Sequence, residues 1–236
     1  MSSNTRTEKD SLGSMQVPAD ALYGAQTARA IENFPISGLP LPRTLLYALV
    51  LIKQQAALVN NDLGLLDKNR TVAIVDAAAE ILNGNHDQHF PVDIYQTGSG
   101  TSSNMNVNEV IAYRASQLLD TKSSSKPLHP NDEVNLGQSS NDVFPSAIHI
   151  ACAQQLQEKL LPALQHFENL LTAKSSEFTK VIKIGRTHLQ DATPITFGQV
   201  FSGYARQAQL AQERLATESS GLYELPLGGT AVGTGI

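Results

Sequence analysis

Cysteine occurs once, at Cys152, so no disulfide can close within the chain and no cysteine pair has metal-site spacing. This usage fits a reducing compartment. No basic group stands beside Cys152, which reads as a small buried helix residue rather than a nucleophile. Charge is sparse, at 17% of residues, and the net charge of −5 contains no block of one sign. Nucleic acid and anionic membranes are therefore not expected partners. An anionic small molecule stays open, because a local site can be positive on an acidic protein. No apolar run reaches membrane-spanning length. The opening "MSSNTRTEKDSLG" lacks the apolar centre of a secretory signal. A cytoplasmic location is the expectation. Strand signals are scarce too, with "KVIKIGRT" the best candidate.

What is present is a helical text. Apolar residues make up 41% of 236 residues, enough for a substantial core. Residues 1 to about 40 read as loop and short helix. From Pro42, the stripe Leu45, Leu49, Ile52, Ala56 and Val59 predicts a helix, with Gly64 as its left-handed cap. A second helix is predicted over Lys68 to Leu82. A third runs from about Asn104, its N-cap, to Leu119, where "DTKSSSKP" breaks it. The fourth is long, from Asp142 or Pro145 to about Phe178, with Leu156, Leu160, Leu164, Phe167 and Leu171 on one face. Pro162 predicts a kink or break inside it. The fifth begins with Thr193 as N-cap and Pro194 at the first helical position. Its stripe is Phe197, Phe201, Tyr204, Ala208, Ala211 and Leu215. Two long helices with near-heptad stripes predict a bundle.

Three polar segments interrupt this text. "TGSGTSSNMN" offers Ser99, Thr101, Ser103 and Asn104 as donors beside glycines that let a ligand approach the backbone. It also reads simply as a Ser/Gly loop with a cap. "HPNDEVNLGQSSNDVFPSA" carries His129, Asn131, Asp132, Asn135, Gln138, Ser139, Ser140, Asn141 and Asp142. A solvated turn uses the same residues, yet this run leads into the longest helix, whose free amides favour a carboxylate. Asp142 could instead cap that helix. "IGRTHLQDATPITFGQ" places Thr187 and His188 just ahead of another helix start, where a neutral imidazole can exchange a proton near pH 7. A histidine satisfied by a loop hydrogen bond is the alternative. If the three segments converge, they form a dicarboxylate site. His86 and His89 lie three apart but have no third ligand nearby, so no metal site is expected. His149 and His166 read as structural or exposed.

These stretches carry a resemblance. "GSGTSSNMNVNEV", "HPNDEVN", "QSSNDVFPSA" and "GRTHLQDATPITFGQ", with "EKDSLGSMQVPADALYGAQTARAIENF" and "LPLGGTAVGTG", resemble class II fumarases of the fumarase/aspartase superfamily. The resemblance covers essentially the whole chain. It implies a mainly α fold, with residues 1–140 as an N-terminal lyase domain and 141–236 as the start of a central long-helix bundle. It implies a homotetramer with active sites shared by three subunits, and reversible hydration of fumarate to (S)-malate without metal or other cofactor. By matching positions, Ser99, Gly100, Thr101, Ser139, Ser140, Asn141 and Thr187 would bind substrate. His188 would position and activate the water. His129, Pro130, Asn131 and Asp132 resemble a second dicarboxylate site.

The family's mobile Gly-Ser-Ser loop with its Met-Pro-Lys-Asn pattern does not occur among these residues, nor does the glutamate that pairs with the catalytic histidine. The chain stops in the glycine-rich "LPLGGTAVGTGI", which reads as a fragment that is inactive by itself. Aspartases typically have Ser-Thr-Asn where this chain has Ser139-Ser140-Asn141, and they lack the Thr187-His188 pair. An aspartate ammonia-lyase-like enzyme is the alternative within the superfamily. A noncatalytic helical module that only assembles or binds dicarboxylates is the alternative from another class.

Overall fold

The computed structural model describes residues 4–120 and 127–236. The expected break at "DTKSSSKP" falls largely on residues 121–126, outside the described residues. Seven α-helices and two β-hairpins account for most of the described residues. None of these helices is long and apolar enough to cross a membrane. The chain divides into two compact units, Met1–Ala151 with Leu225–Ile236, and Cys152–Glu224.

The first unit opens on an antiparallel hairpin, β1 (Thr5–Asp10) and β2 (Gly13–Pro18), where loop was expected. Strict alternation along β2 buries Met15 and Val17 against α1 (Ala25–Asn33). That period-two signal is short and sits among turn-forming residues. The start of α1 has no side-chain cap of its own. Glu109 supplies one, accepting from the amides of Gly24, Gln26 and Thr27 at 2.9–3.1 Å.

The core lies between α2 (Arg43–Asp62), α3 (Lys68–Leu82), α4 (Thr101–Asp120) and the first turns of α5 (Ser140–Gln155). Leu49, Val50, Ile74, Ile81, Val107, Val110 and Ile111 are fully buried there. Each such side chain stabilises the fold by about 1.5–3 kcal/mol relative to exposure. The buried residues of α2 include Leu46, Leu49, Val50, Ile52, Lys53, Ala57 and Asn60. Of the expected stripe, Leu49 and Ile52 are buried, Leu45 packs partly buried on the core, and Val59 is exposed. Gly64 does adopt the left-handed conformation, φ +71°. α3 has the expected bounds, capped by Asp67, which accepts from the amides of Asn69 and Arg70. α4 begins three residues earlier than expected, directly after Gly100 (φ +76°). Asn104 is therefore not its cap but a buried residue of its first turn.

In the second unit, a π-helical turn at Leu156–Leu160 leads into α6 (Leu161–Glu177). The break expected at Pro162 takes this form: proline in the first turn of α6 has no N–H to lose there. The hairpin β3 (Ile182–Thr187) and β4 (Gln190–Thr196) follows, then α7 (Phe197–Glu218). Thr193 and Pro194 belong to β4, so neither starts the helix as expected. Thr196 caps it, in a reciprocal box with Gln199. A cap with glutamine three residues on satisfies two orphan amides at once, which Thr193 cannot do. Leu171, Ala205 and Ala208 join α6 to α7 with Phe201 against them. Phe167 and Tyr204, from the expected stripes, are exposed. So is Cys152, contrary to the buried position expected of it: the neighbouring Ala151 takes the buried face.

Candidate active site

The first two polar segments meet in the first unit. The loop before α4 turns at Gly98 and Gly100, both at positive φ. At Gly100 a Cβ would lie 2.3 Å from the Phe144 ring, so only glycine fits between α4 and α5. Beside it, the Ser99 and Thr101 hydroxyls share a 2.8 Å hydrogen bond. Gln96 fixes the start of α4, its Oε1 accepting from the Ser103 amide at 2.9 Å.

Across from this loop, Ser139 precedes α5, Ser140 is its first residue and Asn141 lies exposed in its first turn. Buried Asp142 accepts from the Ser139 amide at 2.9 Å, as the acidic partner of an N-terminal cap. Its other oxygen accepts from the Gly228 and Thr230 amides at 3.0 and 2.9 Å. The glycine-rich segment Leu225–Ile236 is thereby tied to the start of α5, and Asn141 Nδ2 donates to the Ala231 carbonyl.

The two segments are joined through Asn104. Its Nδ2 donates to Ser140 Oγ at 2.9 Å and to Asn135 Oδ1 at 3.3 Å. Lys53, fully buried on α2, donates to Asn135 Oδ1 at 2.7 Å and Gln138 Oε1 at 2.9 Å. Burial pulls the Lys53 pKa down to about 7, against the opposing pull of the Asp142 charge. A lysine buried among neutral amides is costly unless each contact is satisfied. The sequence reading missed it because the expected stripe ran through its buried neighbour Ile52, and the buried face is wider than that stripe. Its signal was the spacing Leu49, Lys53, Ala57, which sets a cation in an apolar row.

His129 to Asp132 form a separate feature. His129 Nδ1 accepts from the Asp132 amide at 3.2 Å and starts a π-helical turn, Pro130–Val134. The His129 amide donates to Glu133, which also pairs with Arg70. His129, Pro130 and Asn131 line a cleft of about 650 Å³ with residues of β1, α1 and α4, including Tyr113.

Thr187 and His188 are in the other unit. They lie at the tip of the β3–β4 hairpin, not just ahead of a helix as expected. Thr187 pairs with Gln190, leaving His188 and Leu189 as a two-residue turn with φ +48° and +63°. That turn normally takes Asn-Gly. Non-glycine residues held there cost about 1–3 kcal/mol each. Both side chains are exposed, Leu189 at 93%.

Among the described residues no three His, Cys, Asp or Glu side chains are grouped so as to hold a metal. His86 is bonded instead to Glu80, at 2.9 Å.

A family model described as lyase matches residues 13–236. The chain is 55% identical over 236 residues to the class II fumarate hydratase of Halobacterium salinarum, covering all of this chain and 50% of that protein. It is 54% identical over 232 residues to that of Nitrosomonas europaea, covering 98% of this chain and 50% of that protein. The crystal structure of class II fumarase from Schistosoma mansoni superimposes with a TM-score of 0.94 at 48% identity, over 98% of this chain and 49% of that one. The chain spans about half the length of these relatives. Match, identity and superposition agree over nearly every residue, and the chain belongs to the lyase family, on the class II fumarase branch of the fumarase/aspartase superfamily.

Proposed function

We propose that the protein containing this chain hydrates fumarate reversibly to (S)-malate. The observation that carries the reading is the Asn104–Ser140 hydrogen bond, which brings two donor-rich helix starts together in a chain whose relatives are class II fumarate hydratases. Hydroxyls and amides at helix starts suit a carboxylate. Ser99, Gly100, Thr101, Ser139, Ser140 and Asn141 bind it, and Thr187 completes the set from another subunit of a homotetramer. His188 activates the water. His129 to Asp132 form the second dicarboxylate site.

Removing the C3 proton builds negative charge on the neighbouring carboxylate as an aci-carboxylate, which preorganised donors stabilise. The serine base and the lysine and asparagine of the Gly-Ser-Ser loop motif are not among these 236 residues. We assign those roles to the remaining length of a protein the size of its relatives, and we expect residues 1–236 alone not to turn over fumarate. The division into a lyase domain over 1–140 and the start of a bundle over 141–236 belongs to the same reading. So do a cytoplasmic location, a place in the tricarboxylic acid cycle and a reaction without metal.

The test is the product formed from fumarate by the full-length protein, with ammonium present and absent. Malate in both cases is expected. Aspartate as the main product with ammonium would replace the hydratase reading with an aspartate ammonia-lyase. No product in either would leave a noncatalytic dicarboxylate-binding module.

A further inference from the structure

Lys53 has no counterpart in the roles assigned above, yet it underlies the contact that joins the two helix starts. The Lys53 amine directs an N–H at each of two amide oxygens, Asn135 Oδ1 and Gln138 Oε1, and even uncharged it keeps the two N–H that these bonds need. It therefore fixes the Asn135 amide with Oδ1 toward Nζ, and the Nδ2 of the same amide donates to the Gln138 carbonyl at 3.1 Å. Gln138 is oriented the same way, its Oε1 on Lys53 and its Nε2 donating to the Val134 carbonyl at 3.2 Å. With Asn135 Oδ1 facing it, Asn104 must turn its own Nδ2 inward, since a reversed amide would set two acceptors against each other. That Nδ2 then reaches Ser140 Oγ. Asn104 is 1% exposed, and its Oδ1 has no partner among the described residues. The amide orientation thus leaves a buried acceptor unmatched.

We propose that Lys53 is a positioning residue for the carboxylate site: through Asn135 and Asn104 it fills the acceptor side of Ser140 Oγ, so that Ser140 presents its O–H to a bound carboxylate. A hydroxyl has one proton and can turn it either way. With the inward side occupied by a donor, the proton faces out, which is the polarity an anion requires. Asp142, the charged group whose field reaches Lys53, has its own oxygens filled by backbone amides and does not join the relay.

The inference rests on the dicarboxylate reading of this site, so its test separates the two. Succinate binding is measured by calorimetry on the full-length protein, independently of turnover. Lys53→Met, which keeps length and removes the donors, should weaken succinate binding and raise the KM for fumarate by about 10–100-fold, the size of a hydrogen bond to a charged group. In a Ser140→Ala background the same change should have almost no further effect, because the relay ends at that hydroxyl. Asn104→Leu should repeat both results and serves if Lys53→Met does not fold. An unchanged succinate affinity in folded Lys53→Met or Asn104→Leu would overturn the relay. So would an effect of full size persisting in Ser140→Ala, which marks a merely structural role. Wild-type protein that binds no succinate would overturn it together with the carboxylate site. Wild-type protein that binds succinate but makes no malate would sink the hydratase reading alone.

Discussion

The start of α5 and the tip of the β3–β4 hairpin are both rich in polar side chains, and they are built in opposite ways. Around Ser140 the groups are supported from beneath by Asn104, Asn135, Gln138 and the buried Lys53. At the hairpin, His188 and Leu189 stand exposed on strained backbone. The two units differ in the same sense. The first buries Leu49, Ile74, Ile81 and Val110 completely, whereas the second buries Leu171, Ala205 and Ala208 and exposes Phe167 and Tyr204. The first region is organised by its own chain. The second keeps strained backbone and exposed apolar groups that the proposed subunit contacts would use.

The comparison is broken most severely at His188. His188→Asn in the full-length protein keeps a donor but loses basicity near neutral pH. It should lower kcat by about 10²–10⁴-fold in both directions, with little change in unfolding midpoint, since His188 lies on an exposed turn. Wild-type kcat in that variant would contradict its role.

Next comes packing. Ile74→Ala empties a fully buried position and should cost about 2–5 kcal/mol at any protein concentration. Phe167→Ser changes an exposed residue. Its cost should shrink as the protein is diluted and its subunits separate, as expected of a side chain buried only between subunits. Denaturant midpoints over a range of concentrations distinguish the two, and equal behaviour would erase the contrast between the units.

The smallest effect is that of pH on Lys53. Its folded pKa, about 7, lies below the ordinary 10.5. Between these values the unfolded chain holds a proton that the folded chain has released, so stability rises with pH in that window and levels off below 7. The slope is at most about 1.4 kcal/mol per pH unit. Wild type should gain stability from pH 7 to 9 relative to Lys53→Met. A flat difference would show that Lys53 stays protonated throughout.

The sequence was legible where one signal dominated. The helix expected over Lys68 to Leu82 has the bounds of α3, and "KVIKIGRT" marked β3. The partner strand β4 was hidden because Thr193-Pro194 imitates a helix start, and the real cap needed Thr196 weighed with Gln199. The first hairpin was lost among turn-forming residues. In the candidate site, Ser99, Thr101, Ser139 and Ser140 announced themselves by composition. Asn104 was read as a cap and Lys53 passed over because their meaning lies in long-range contacts, which local periodicity does not encode.

In the proposed tetramer, one carboxylate site draws Ser140 and His188 from different chains. Full-length Ser140→Ala and His188→Asn proteins, each of low activity, can be mixed, dissociated and reassembled, and fumarate hydration then measured. Activity well above that of either parent is predicted, since some mixed sites would hold both native residues. Activity no greater than the average of the two parents, in tetramers shown to have exchanged subunits, would contradict it.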